Sequence, residues 1–255
     1  TTSPLVRQQC YNADLQLANV LRPLEELRVK GCATAVAQRG ISECDRLRQE
    51  LDRLVVVCSG HPPTLMASAV VAYEEHQPVK SQQLLDQILA QGRSYPDAAV
   101  LRARIAIEEG NVPFARRLLE QQIRLAPDHA ELHETYGATL YVGGRLPEAE
   151  HELATAEALG APRWRIAYHL GLVEEASGRF EEASRHYAEA LAANPEWAPA
   201  RSRLAGLRAG GRVRPHRAGR ELHDRRPRSW PGLRRHRDAS RTRARLDDGD
   251  GAAGG

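Results

Sequence analysis

A few residues of this chain have the types and spacings that could do chemistry. His129 and His133 lie four apart, one helical turn, with Glu131 and Glu134 beside them. Two imidazoles on one helix face can ligate a metal, and a neighbouring carboxylate can act as base. The order Asp-His-Ala-Glu-Leu-His-Glu is not that of a zinc protease, because no Glu directly follows the first His. No metal site is therefore expected. Glu174/Glu175 and Glu181/Glu182 form carboxylate pairs, which at helical spacing read as a solvated face. Cys58 stands three residues before His61 and could mimic a thiol–base pair, but a disulfide half or a core thiol fits that cysteine better. No strand-forming run precedes a glycine-rich phosphate loop. The expectation is a protein with no catalytic residues, no metal and no cofactor.

The remaining reactive groups are four cysteines, Cys10, Cys32, Cys44 and Cys58, all in the first 58 residues. An even, clustered set suits a disulfide framework in an oxidising compartment, with four buried reduced thiols as the other reading. Zinc is disfavoured, since no two of them are two to four residues apart. The chain begins Thr1-Thr2-Ser3 without Met, which fits removal of an N-terminal segment on export. Helical patterns cover residues 5–30, interrupted by Pro23, and residues 42–58. On the second, Cys44, Leu47, Leu51, Leu54 and Cys58 recur every three or four residues on one stripe. An antiparallel hairpin would bring Cys10 towards Cys58 and Cys32 towards Cys44. Its arms are 22 and 14 residues long, a mismatch of about 12 Å at the helical rise, which residues 31–40 would have to absorb.

The elements that must position these groups are helices. Of 255 residues, 42% are hydrophobic and only 5% aromatic, mean hydropathy is −0.52, and no run of 18 apolar residues occurs. Leu and Ala supply the apolar content, which suits closely packed helices and not a β-sandwich. Charge is uneven. Residues 210–255 hold 13 of the 36 basic residues and 6 of the 33 acidic ones, a net +7, which leaves residues 1–209 at −4. The chain's pI of 8.8 thus describes its tail, and the remainder is mildly acidic.

One pattern recurs every 34 residues. Ala167, Leu170-Gly171, Glu174, Gly178, Phe180, Ala183, Tyr187, Ala190 and Pro195 define it. One step back stand His133, Tyr136-Gly137, Leu140, Gly144, Leu146, Ala149, Leu153 and Ala156; a second step gives Ala99, Arg102-Ala103, Ala106, Gly110, Val112, Ala115, Leu119, Gln122 and Pro127. A third gives Leu65, Ser68-Ala69, Ala72, His76, Pro78, Ser81, Leu85 and Ile88, degenerate but apolar at the right places. Small residues fall where two helices would cross, and Gly falls where the first would end.

This pattern resembles the tetratricopeptide repeat, a pair of antiparallel helices closed by Pro. The resemblance implies an all-α superhelix of four repeats over 62–95, 96–129, 130–163 and 164–197. An N-terminal cysteine-containing hairpin over 1–61 precedes it, a capping helix over 198–209 closes it, and a disordered Arg-rich tail over 210–255 follows. Arg102 stands where the family has Leu and Glu174 where it has an aromatic, both expected to weaken local packing. The first helix of each repeat lines a concave groove in this family. Carried over slot by slot, that lining is Met66, Val70 and Tyr73; Arg104, Ile107 and Glu108; Glu134, Ala138 and Tyr141; and Arg165, Tyr168, Leu172 and Glu175. Tyr141, Arg165 and Tyr168 are the expected anchors. The Lys/Asn clamp with which some relatives grip a C-terminal carboxylate is absent: Val100 and Arg104, or Tyr168 and Leu172, stand in those slots.

The function expected from this reading is a non-catalytic scaffold that binds a peptide or partner helix in its groove. The cysteines and the missing start place it in a bacterial cell-envelope or secretion assembly, periplasmic or associated with the outer membrane. A cytoplasmic adaptor with reduced thiols is the alternative. The Arg-rich tail reads either as an arm for nucleic acid or, given 34 Arg against two Lys, as the product of a shifted frame in a GC-rich gene. No small-molecule substrate is expected.

Overall fold

The computed structural model describes the backbone of residues 13–30 and 43–209, with side chains for 13–24 and 44–209. Among these residues there are eleven helices and no strand. They are α1 (Ala13–Lys30), α2 (Glu43–Val57), α3 (Pro62–Glu74), α4 (Pro78–Leu89), α5 (Pro96–Glu108), α6 (Val112–Leu125), α7 (Ala130–Val142), α8 (Leu146–Ala158), α9 (Arg163–Ala176), α10 (Phe180–Ala193) and α11 (Ala198–Arg208). No described helix is long and apolar enough to cross a membrane.

The chain divides into two bodies, and the division falls within α3, between Ser68 and Ala69. In the N-terminal body α1 continues through Pro23. Its stripe of Leu17, Val20, Leu21 and Leu24 is buried, as are Leu47, Leu51 and Leu54 of α2. The part of the first helical pattern before Ala13, and the whole of 31–40, lie outside the described residues.

The second body is the repeat array. The first helices of its repeats are buried nearly all round: nine residues of α5, eight of α7 and seven of α9 are buried. The second helices bury one stripe each, Ala115-Leu119-Gln122 on α6, Ala149-Leu153-Ala156 on α8 and Ala183-Tyr187-Ala190 on α10. A helix sandwiched between neighbours is covered on every side, and its buried polar groups must find partners, whereas one with an outer wall needs only an apolar stripe. The small crossing residues are required by contact. A Cβ on Gly171 would come within 2.5 Å of the Tyr187 ring, and one on Gly137 within 2.9 Å of Leu153.

Each first helix stops in the same way. Gly110, Gly144 and Gly178 have φ of +82°, +75° and +78°, and the first repeat holds His76 at +59° in that slot. The next residue's N–H then donates five residues back: Gln77 to Ala72, Asn111 to Ala106, Arg145 to Leu140 and Arg179 to Glu174. This six-to-one bond satisfies a carbonyl the helix end would orphan.

The two departures from the family pattern do not leave holes. Arg102 donates from Nε to Asp86 at 2.9 Å and lays its guanidinium 4.4 Å from the centre of the Phe114 ring. Its stem fills the Leu slot while its head ties the first repeat to the second. Glu174 accepts from Arg179, which also donates to Glu150 of the preceding repeat. The array ends on α11, where Leu204 is buried against Ala167, Tyr168 and Tyr187 while Arg201, Ser202, Ala205 and Arg208 face solvent.

Candidate protein-binding groove

The first helix of each repeat turns the same slots to one face, and the structure joins these slots across repeats. Tyr73 donates from Oη to Glu108 at 2.5 Å, 35 residues on. Arg165 of α9 donates from Nε to Glu134 of α7 at 2.8 Å and from a second nitrogen to the other carboxylate oxygen. His169 Nε2 lies 3.2 Å from the same carboxylate. Arg203 of α11 donates to Glu175 of α9 at 3.2 Å, and Tyr187 donates to the other oxygen of Glu175 at 2.7 Å.

These bonds determine which expected lining residues a partner could touch. Tyr168 is only 2% exposed. Its ring packs 5.9 Å from those of Tyr187 and Trp197 and 5.7 Å from His169, so it belongs to the core and not to an open surface. Leu172, Ile107 and Ala138 are buried as well. Glu134 is 1% exposed, with its carboxylate filled by Arg165 and His169. Burial pulls the Arg165 guanidinium towards losing its proton, but Glu134 and Glu131 outweigh that pull and hold its affinity for the proton above the ordinary value. Arg165 is thus an internal clamp with one edge to solvent. Glu175 is occupied by Tyr187 and Arg203. Burial and the Glu175 carboxylate push the Tyr187 phenol far above its usual range.

What remains half-buried or open is Val70, Tyr73, Arg104, Glu108 and Tyr141 in the repeat body. Met66, also half-buried, belongs to the N-terminal body. Burial and the hydrogen bond to Glu108 raise the Tyr73 phenol, while the Arg104 charge draws it down.

The other chemistry-bearing residues are engaged structurally. His133 faces Glu152 from Nδ1 at 2.7 Å and the Pro127 carbonyl from Nε2 at 2.8 Å, so neither ring nitrogen is left for a metal. No group of three metal-ligating side chains occurs among the described residues. His61 touches Thr64 at 2.8 Å and Asp14 at 3.5 Å, and Cys58 is disulfide-bonded, so the two form no thiol–base pair. Cys44 is disulfide-bonded too, and both sulfur-bearing side chains are buried. Fourteen residues of helix set these two about 21 Å apart, so each needs a partner elsewhere. Cys10 and Cys32, the expected partners, lie outside the described residues. His169 and Arg203 were not among the expected groove residues, yet they complete its polar contacts. Their signal is in the sequence, as a His or Arg about one repeat beyond a groove carboxylate.

Residues 72–133 match the tetratricopeptide repeat family. No curated protein sequence matches the chain. Among solved structures, a thermophilic tetratricopeptide repeat protein of Thermus thermophilus superposes with a TM-score of 0.59 at 21% identity, over 75% of this chain and 98% of that one. PilW, a widely conserved type IV pilus biogenesis factor, gives 0.59 at 13% identity, over 78% and 86%. A tetratricopeptide repeat protein from Parabacteroides merdae gives 0.58 at 14% identity, over 74% and 70%. At these identities the likeness is one of fold.

Proposed function

Because this chain is a tetratricopeptide-repeat protein, a fold that serves protein–protein interaction, we propose that it is a non-catalytic scaffold whose groove binds a peptide or helix of a partner protein. The observation that carries this reading is the set Val70, Tyr73, Arg104 and Tyr141, half-buried on the first helices of successive repeats. Aromatic rings and guanidiniums held on rigid elements offer large contact area at small entropic cost. Tyr141 keeps its expected role as an anchor, and Tyr73 and Arg104 replace Tyr168 and Arg165. The site of action in this proposal is an oxidising compartment of the cell envelope, within a secretion or envelope assembly. The disulfide-bonded Cys44 and Cys58 support that part.

The test is a photo-crosslinking side chain placed at position 141 or, as a control, at exposed Arg185 of the full chain in its native cell. The proposal expects one protein crosslinked from position 141 and absent from position 185. Equal capture from both would overturn the groove reading. Mass spectrometry of the envelope fraction is expected to find no free thiol among the four cysteines, and four free thiols would move the protein to a reducing compartment.

A further inference from the structure

The guanidiniums that the repeat body draws away from solvent share one property. Arg102, Arg116, Arg165 and Arg203 each have a carboxylate within 3.6 Å. Arg104 is the exception among the described residues of that body: half-buried, on the groove side of α5, with no ion pair to a described residue. Glu108, one turn on, accepts from the Tyr73 hydroxyl. The same slot one repeat further holds Ala138, which offers the guanidinium no carboxylate. Tyr73 and Tyr141 occupy one shared slot on the repeats before and after.

A half-desolvated guanidinium with open donors favours a carboxylate, which it can bind through two parallel hydrogen bonds. A C-terminal carboxylate in an open groove calls for donors from more than one residue, and here one guanidinium stands alone among acidic neighbours. Polyanions are disfavoured by the −4 charge of residues 1–209. We infer that the groove takes a partner segment bearing an internal Asp or Glu, whose side-chain carboxylate docks on Arg104 beside the Tyr73 and Tyr141 rings. This rests on the groove reading above and adds the chemistry of the bound segment.

The test uses the full chain and a phage-displayed library of random, C-terminally extended dodecapeptides. Enriched peptides are expected to share one acidic position. A synthetic, C-terminally amidated copy of the best one should lose about tenfold in affinity on Glu→Gln at that position. The loss should be similar on Arg104→Gln, with little further loss when both are changed. Arg104→Lys should recover part of it, and circular dichroism should show all variants folded. Peptides that bind in a Tyr141-dependent manner without an acidic position, or whose losses add independently, overturn this inference and leave the groove reading standing. Peptides indifferent to both Tyr141→Ala and Arg104→Gln, or a library that yields no binder, contradict both.

Discussion

The two halves of the repeat body use the same groove slots differently. From α7 to α11 the slots, Tyr141 at the end of α7 excepted, are closed by contacts from the same repeat or from the element that follows it. Glu134 is filled by Arg165 and His169, Glu175 by Tyr187 and Arg203, and Tyr168 lies under Trp197. Between α3 and α5 the Tyr73 hydroxyl joins the slots through Glu108, and Arg104 makes no ion pair to a described residue. A repeat position therefore fixes where a side chain points, while the residues packed over it decide whether it is available. The closed slots serve stability, and in the function proposed above the open ones, Val70, Tyr73, Arg104 and Tyr141, are the binding surface.

This contrast can be broken first in the closed half. Tyr187→Ala removes a fully buried ring and leaves Glu175 without its phenol donor. A loss of about 3–5 kcal/mol is expected, read as a fall in the urea midpoint by circular dichroism. Glu134→Ala leaves the Arg165 charge without its bidentate partner and should cost about 3 kcal/mol. Glu134→Gln, which keeps acceptor and shape, should recover part of that. A loss below about 0.5 kcal/mol in both would show that this half is not held by its slots.

Alkali should weaken the array in a direction set by its phenols. Tyr136 is pushed up to about 12 by burial and by its hydrogen bond to Glu120, and Tyr73 and Tyr187 are raised as well. An unfolded phenol ionises near 10, so above that pH the unfolded chain releases protons that the folded one keeps. Stability from these groups is complete below about pH 10 and declines as the pH rises towards about 12. Tyr136→Phe should flatten that decline in a thermal melt, and a melt curve unchanged from wild type would remove Tyr136 as a cause.

Smaller effects are expected in the open half. His76 sits left-handed where the later repeats have Gly, at a cost of about 1 kcal/mol. His76→Gly should raise the melting temperature by a few degrees, and a lowered one would mean the His76 side chain contributes more than its backbone costs. Arg104→Ala should change stability by no more than about 0.5 kcal/mol, since no carboxylate loses a partner.

The sequence made the fold readable because its punctuation is local. Gly171 under Tyr187, Gly178 at a helix end and Pro195 after one are each dictated within a single 34-residue unit. The groove was less readable because availability is not local. Tyr168 is covered by Trp197, 29 residues away, and Glu134 is filled from 31 and 35 residues away. The slot rule gave Tyr168 and Tyr141 the same standing, and only the rings of α10 and the start of α11 separate them. Even so, complementary charges about one repeat apart, Glu134 with Arg165 and Glu175 with Arg203, are visible in the sequence to a reader looking for them.

The most direct test of the division of labour is calorimetric titration of the full chain with the partner crosslinked from position 141. It compares wild type, Tyr73→Ala with Tyr141→Ala, and a control pair on outward helices, Arg117→Ala with Arg185→Ala. Truncating two groove anchors should cost at least about 2 kcal/mol, roughly thirtyfold in affinity, with the helical signal intact, while the control pair binds as wild type does. Wild-type affinity in the groove pair, or equal losses in both pairs, would contradict the assignment of the open slots as the binding surface.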